Sequence, residues 1–469
     1  MSAKAVKAEI PSDGKSMNLA RLTWPIFLEV FLFMLMGSVD TFMLSSVSDD
    51  AVSGVGAANQ IITVAIIILE VIGNGAAIVV AQYLGSKKPA EAAQVTGNAI
   101  TLNLTVGLVL SVVLLLLGKS ILGILHVEGD ILAYASSYLH IVGGAIFLQA
   151  LINALAATIR THGFTKETMA VSFLMNIIHV IGNYALIFGH FGLPALGVEG
   201  AAISTIGSRL ICLLIFFWLL YRIMEVRVAW TYYVHLSKNF VLKILRIGIP
   251  AAMESLLYQT CQLVFTMYVT YLGAEAMATR QYALNISNYI YLFSMAVAVG
   301  TSIIVGHLIG AKRQNEAFSR VRSSVKGALL VTVLIDIIVI LFREPLMGIF
   351  TDNPDIIRMG AQVLLLSLLL ETGRTVNMIV IGSLRAAGDA KLPVYMGILS
   401  MVCMSLPVGY LFVFHLHLGL IGIWLAIALD EWTRAVIMLF RWRSRAWERY
   451  SLVDHEGAKA VPATATAAQ

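Results

Sequence analysis

Twelve long apolar stretches alternate with short polar connections along the chain. A stretch of about 20 apolar residues is long enough to cross the hydrocarbon layer of a membrane as a helix. Helices are favoured because lipid offers no partner to backbone polar groups, and the stretches lack the alternating polarity of an outer-membrane barrel. The predicted spans are residues 20–46, 52–83, 94–117, 131–158, 168–189, 197–221, 240–271, 277–309, 320–342, 357–385, 391–415 and 418–440.

The composition indicates the same class of protein. Hydrophobic residues make up 59% of the 469 residues and charged residues 13%, whereas soluble domains carry about 25% charged residues. The first apolar run, Leu22–Leu44, is too long for a signal peptide and lacks a small-residue cleavage site, so we expect it to remain as span 1. Cys212, Cys261 and Cys403 lie far apart in separate apolar runs, and they predict neither a disulfide framework nor a metal site.

The distribution of basic residues predicts the orientation of the spans. Lys and Arg are concentrated in alternate connections and near both ends of the chain, while the opposite side of the membrane holds only Lys119, Arg280, Arg343 and Arg358. Connections rich in basic residues face the cytoplasm. We therefore expect a multi-pass protein of the cell membrane with both termini in the cytoplasm. The net charge of +5 follows from this topology and requires no nucleic-acid partner.

The two halves of the chain repeat each other at an offset of 225 residues. Matched pairs include Pro25 with Pro250, Glu29 with Glu254, Gly85 with Gly310, and Arg160 with Arg385. Each half contributes six spans, an even number, so the two halves have the same orientation in the membrane. Parallel repeats of this kind place a substrate site between the halves, and transport follows when one half rocks against the other.

The predicted fold is an all-α membrane protein of twelve transmembrane helices in two parallel six-helix repeats. A cytoplasmic segment (residues 1–20) precedes the first lobe (21–222), and a cytoplasmic loop (223–239) leads to the second lobe (240–443). Residues 444–469 are predicted to be a disordered cytoplasmic tail, and we expect the protein to act as a monomer.

Ionisable residues within spans are costly in hydrocarbon and usually mark a cavity or a coupling site. The acidic residues of this kind are Glu29, Asp40, Glu70, Glu254, Asp336, Glu371, Asp430 and Glu431, and the basic ones are Arg209, Arg374 and Arg434. Asp40, Glu254 and Glu371 are the acidic candidates for binding a coupling ion, and Glu371 can pair with Arg374 three residues later. Since acids outnumber bases, we expect a preference for cationic cargo.

Polar and aromatic residues on shared helix faces are candidates for the substrate cavity. Span 5 places His179 and Asn183 on one face, and span 8 carries Asn285 and Asn288 in a polar stripe. Soft and aromatic side chains suit flat organic cations. The predicted cavity residues are Met36, His179, Tyr258, Asn285, Asn288 and Arg374.

Several motifs resemble those of one transporter family. They are WPIFLEVFLFMLMGSVDTFML (Trp24–Leu44), the Gly-Lys loops after spans 2 and 8, and LRAAGD (Leu384–Asp389). Together they resemble the MATE family of multidrug and toxic compound exporters, in a bacterial NorM-like subgroup, over about residues 20–440. The resemblance implies a V-shaped, two-lobe fold that exports small organic compounds in exchange for protons or sodium. It also implies that Asp40 and Asn183 hold the coupling ion.

The sequence departs from the sodium-coupled branch of that family at two positions. Tyr258 stands where the branch has a glutamate, and Arg374 stands where it has an aspartate. We therefore prefer a proton as the coupling ion, with sodium near Asp40 and Asn183 as the alternative, and we expect no other cofactor or metal.

Two other functions remain possible on the sequence. A flippase for a lipid-linked precursor belongs to the same superfamily, although it would need more basic residues to meet a pyrophosphate. A membrane-embedded enzyme is disfavoured because the sequence contains no HExxH, GxSxG or P-loop motif.

Overall fold

The computed structural model describes residues 17–125, 127–223 and 228–453, and these residues form twelve long helical segments. Residues 1–16, most of the predicted N-terminal segment, lie outside the described residues, as do 224–227 and 454–469. Every predicted span coincides with one long segment, so the twelve-helix prediction is confirmed. The segments are α1 (Leu19–Ser45), α2 (Asp49–Gly85), α3 (Pro89–Ile124), α4 (Gly129–Gly143 with Ile146–Thr161), α5 (Thr165–Phe188), α6 (Val198–Ile223), α7 (Lys238–Thr270), α8 (Ala274–Gly310), α9 (Gln314–Leu341), α10 (Pro354–Leu365 with Ser367–Ala386), α11 (Lys391–His415) and α12 (Gly419–Arg443).

Ten of these segments are long and apolar enough to cross a membrane when each bent pair is taken as one span. The other two, α7 and α12, carry more charge. Helix α7 begins with Lys238, Lys243 and Arg246, and α12 carries Asp430 and Glu431, which are buried inside the second lobe. The charges of α12 therefore face protein rather than lipid, which is how ionisable residues are accommodated in membrane helices.

Two segments bend sharply at matching places in the repeat. Helix α4 bends by 49° after the π-helical turn Leu139–Gly143, and α10 bends by 45° at Leu366. Leu366 is 225 residues after Ile141, the middle of the π-helical turn. Since both lobes break the same helix at the same position, the bend belongs to the repeated architecture.

The two lobes meet through reciprocal glycine contacts between α2 and α8. A methyl group on Gly85 would lie 2.0 Å from the backbone oxygen of His307, and one on Gly310 would lie 1.9 Å from that of Gln82. Gln82 and His307 are themselves equivalent in the repeat. The absence of a side chain at both glycines is what allows the two helices to approach this closely.

Two hydrogen bonds between the lobes follow the same symmetry. Gln82 Nε2 donates to the backbone oxygen of Ala386 at 2.7 Å, and His307 Nε2 lies 2.9 Å from the backbone oxygen of Thr161. Thr161 and Ala386 are repeat equivalents at the ends of α4 and α10. We call this side of the molecule, where α2, α4, α8 and α10 end, the terminal face.

The start of the predicted disordered tail is folded, so that prediction is wrong for its first residues. Ala446–Tyr450 form a 3-10 helix, and the side chain of Trp447 is fully buried and stacks on Trp442 at 4.3 Å between ring centroids. Leu452 and Val453 are also buried, and the backbone N–H of Leu452 donates to Gln82 Oε1 at 2.8 Å. Aromatic and aliphatic burial against the terminal face stabilises this strap, residues 446–453.

Arg280 lies near the start of predicted span 8 and not in a connection. It lies inside α8, where its side chain is buried and donates to Gln262 Oε1 at 3.1 Å and to Thr266 Oγ1 at 3.0 Å.

Candidate functional site

The first lobe contains a buried polar cluster around Asp40, which lies in the last third of α1. Asn183 Nδ2 donates to Asp40 Oδ1 at 2.5 Å, and His179 Nε2 lies 3.3 Å from the same oxygen. His179 and Asn183 are four residues apart on α5, so they present adjacent side chains to α1. The structure therefore brings together the predicted residues Asp40, His179 and Asn183.

Helix α6 completes this cluster with residues that the sequence did not single out as a site. His179 Nε2 lies 3.2 Å from Thr205 Oγ1, and the hydroxyl of Ser204 donates to the backbone oxygen of His179 at 2.9 Å. Arg209 is buried near Asp40, and its Nε and Nη1 atoms have no hydrogen-bond partner among the described residues. We call Asp40, His179, Asn183, Thr205 and Arg209 the N-lobe cluster.

The N-lobe cluster can hold and release protons, because both a carboxylate and an imidazole lie within it. In the part of the chain that the structure describes, no three His, Cys, Asp or Glu side chains are arranged to hold a metal ion. Arg209 already supplies a positive charge to the carboxylate. Its signal in the sequence was its position as a lone basic residue inside an apolar span.

A second site is a cavity of about 500 Å³ between the two lobes, which we call the central cavity. Its walls come from α2 and α4 of the first lobe and from α7, α8, α10, α11 and α12 of the second. The charged lining residues are Glu70, Arg160, Glu254, Arg374, Arg385, Glu431 and Arg434, and the soft or aromatic ones include Tyr258, Tyr291, Met295, Met378 and Met401. This volume is within the range of about 300–1,000 Å³ that is typical of sites for small organic molecules.

Two equivalent ion pairs flank the central cavity. Arg160 Nη1 lies 2.8 Å from Glu29 Oε1 in the first lobe, and Arg385 pairs with Glu254 in the second. These four residues are equivalent in the sequence repeat, and the structure shows that both lobes form the same ion pair with them. Arg434 is a further partner of Glu254, at 3.8 Å.

The second lobe contains an extended ion network, of which Arg374, Glu431 and Arg434 line the central cavity. Arg374 Nη1 lies 2.9 Å from Glu371 Oε1, so the predicted pair is present, and Arg374 Nε lies 3.7 Å from Glu431 Oε1. Arg434 lies 2.9 Å from Asp430 and 3.1 Å from Glu431. The Arg374 guanidinium also lies over the ring of Tyr291, 5.7 Å from its centroid, where a cation–π contact is favourable. Each arginine in the network is therefore neutralised locally.

The predicted cavity residues divide into two groups. Tyr258 and Arg374 line the central cavity, as does the predicted coupling residue Glu254. Met36, His179, Asn285 and Asn288 are not among the residues that line it. Met36 packs in the apolar core of the first lobe, and His179 turns toward Asp40 inside that lobe.

Asn285 and Asn288 lie on α8 before Tyr291, on the side away from the terminal face. The walls of the cavity come from the part of α8 between Tyr291 and Ile303, which explains why the polar stripe misses it. The lining also carries four arginines and three glutamates. The simple surplus of acids over bases in the spans therefore does not extend to the cavity surface.

Comparison with known proteins gives a consistent result. The MatE family profile matches this chain twice, over residues 25–185 and 250–411. The uncharacterized transporter YisQ of Bacillus subtilis is 39% identical over 444 residues, with 95% of this chain and 97% of that protein covered. The probable multidrug resistance protein NorM of Thermotoga maritima is 29% identical, with 97% of each chain covered. A crystal structure of MATE in the bent conformation has the same fold, with a TM-score of 0.86, 18% identity and coverage of 92% of this chain and 96% of that one.

Proposed function

This chain belongs to the MATE family of multidrug efflux transporters, and from this premise we propose that it exports organic cations in exchange for protons. The observation that carries the proposal is that the molecule has two separate sites: the central cavity between the two repeated lobes, and the buried N-lobe cluster around Asp40. The cavity is suited to the cargo, and the N-lobe cluster is suited to the coupling ion.

The contacts between the lobes support transport by alternating access. The lobes contact each other closely at the terminal face, through the two glycines and the two symmetric hydrogen bonds. The basic connections predict that this face lies in the cytoplasm. On that orientation the lobes are closed toward the cytoplasm, and separating them there would open the central cavity to its cargo.

The surroundings of Asp40 favour a proton over sodium. Asn183 points its N–H donor at the carboxylate, whereas a bound sodium ion would need oxygen acceptors around it. Arg209 already acts on the same carboxylate, and a second fixed cation there would be repelled. A proton needs no coordination shell, and Asp40 or His179 can accept it directly. Sodium coupling remains the alternative that the experiment below separates.

The arginines of the central cavity do not favour a lipid-pyrophosphate flippase. Recognition of a pyrophosphate requires guanidinium groups that are free to form charge-assisted hydrogen bonds. Arg160, Arg374 and Arg434 are each within 3 Å of a carboxylate of this chain, and Arg385 pairs with Glu254. An anionic cargo would have to displace these carboxylates, which is costly for groups that are largely buried.

Efflux of ethidium from cells that express the protein tests the proposal. The proton gradient and the sodium gradient are collapsed separately, and cells with the empty vector provide the background. We expect efflux to stop when the proton gradient alone is collapsed. Loss of efflux on removal of sodium alone would show that sodium, and not the proton, is the coupling ion. Absence of ethidium efflux under all conditions would contradict the export of organic cations.

A further inference from the structure

Glu70 on α2 differs from the other acidic residues that line the central cavity. Glu254 and Glu431 each contact two arginines. Glu70 is exposed, lines the cavity, and has no ion pair or side-chain hydrogen bond within the described residues. Arg160 is a basic group near Glu70, but its guanidinium is directed at Glu29, 2.8 Å away. The Glu70 carboxylate is therefore available to a ligand.

The position of Glu70 in the repeat makes the cavity asymmetric. The equivalent residue in the second lobe, 225 positions later, is Met295, which also lines the cavity. One wall thus presents a carboxylate where the other presents a thioether. Met378 and Met401 add two further thioethers to the wall of the second lobe, and Tyr258 adds an aromatic ring. An apolar body can rest on this wall while a charged group faces Glu70.

We propose that Glu70 is the substrate-binding carboxylate of the central cavity and that it receives the positive charge of an organic cation. The inference rests on the proposed export function and assigns its charge selectivity to one residue. A quaternary or delocalised cation with apolar substituents fits the pairing of a single carboxylate with a thioether-rich wall. An anion of the same shape would lie against Glu70, and the paired arginines would offer it no compensation.

Two ions of the same shape and opposite charge test this assignment. Tetraphenylphosphonium and tetraphenylborate are titrated separately into the purified protein in lipid nanodiscs. We expect the wild type to prefer the cation. E70Q should lose on the order of tenfold in affinity for tetraphenylphosphonium, because the loss of one charge contact in a partly desolvated site weakens binding by about that factor. Affinity for tetraphenylborate should stay the same or increase. E70D keeps the charge and should retain most of the preference.

The control is E199Q, the same substitution in the same lobe at a residue that lines a different pocket beside Lys119. It should leave both affinities unchanged. If E70Q does not fold, E70M carries the residue of the equivalent position and is expected to give the same loss. Equal tetraphenylphosphonium affinity in wild type and E70Q, or a wild-type preference for tetraphenylborate, would overturn the assignment.

Failure of the export function would give a different result. Wild type reconstituted in liposomes would then bind tetraphenylphosphonium through Glu70 but would not move it under a proton or a sodium gradient. Binding and transport therefore test the two proposals separately.

Discussion

Arg160 Nη1 lies 2.8 Å from Glu29 Oε1, and this ion pair ties α4 to α1 beside the central cavity. Thr168 Oγ1 donates to the other carboxylate oxygen of Glu29 at 3.1 Å, which adds α5 to the same junction. The second lobe repeats the junction with Arg385 and Glu254. Each lobe therefore has an ionic junction between its first and fourth helices, which holds these two helices together within the lobe.

Glu29→Gln should lower the stability of the first lobe by about 2 kcal/mol, because Arg160 would keep a largely buried charge without its partner. Thermal unfolding in detergent measures the effect. The double variant Glu29→Gln with Arg160→Gln should recover part of the loss, since no unpaired charge remains. A double variant that loses the sum of both single effects would contradict the pairing.

The Glu371–Arg374 pair should behave as one unit with larger energies, because both side chains are nearly inaccessible to solvent. Removing one partner of a buried pair costs about 3–5 kcal/mol. We expect Glu371→Gln and Arg374→Gln each to lower both thermal stability and transport more than the double substitution does. Additive losses in the double variant would show that the two groups act independently.

Gly85→Ala should weaken the closed terminal face, because the new methyl group would overlap the backbone oxygen of His307, 2.0 Å away. Distances between spin labels on the terminal ends of α2 and α8 measure the closure, and we expect a population with longer distances. Gly56→Ala is the matched control, since Gly56 lies in the same helix with no neighbouring atom within 4 Å of the added methyl group. Equal distance distributions in the two variants would contradict the steric argument.

Deletion of residues 446–469, which removes the whole strap, should also loosen the terminal face, because the Leu452 N–H donor and the buried Trp447 would be lost. Trp447→Ala alone should cost about 3–5 kcal/mol, as is usual for a fully buried tryptophan. Thermal unfolding and the same label distances check both effects. Truncation after Val453 keeps every strap contact described above and should behave as wild type. Normal stability after deletion of the whole strap would contradict this role.

The helices could be predicted from the sequence more completely than the site. Hydrophobic runs are local features, so all twelve spans follow from them, and the repeat follows from the matched pairs at a fixed offset. The Glu371–Arg374 pair was predictable because its members lie three residues apart on one helix. Contacts between distant helices have no such local signal. Asp40 and Asn183 are 143 residues apart, and the family resemblance alone placed them together.

The charge of the central cavity was not predictable for the same reason. A count of acids and bases in the spans does not tell which arginines are neutralised by a partner on another helix. Arg160 finds Glu29 across 131 residues, and among the described residues Glu70 has no ion-pair partner. The folded start of the tail was missed because its mostly polar composition conceals three buried residues, Trp447, Leu452 and Val453.

Proton movement in reconstituted liposomes tests the central claim, proton-coupled export through Asp40, most directly. A pH-sensitive dye trapped inside the liposomes records proton movement when tetraphenylphosphonium is added, in the absence of sodium. We predict substrate-dependent proton movement in the wild type and its loss in Asp40→Asn, which keeps the shape of the side chain and removes its proton site. Equal proton movement per substrate in Asp40→Asn, or wild-type transport that follows a sodium gradient and ignores pH, would contradict the claim.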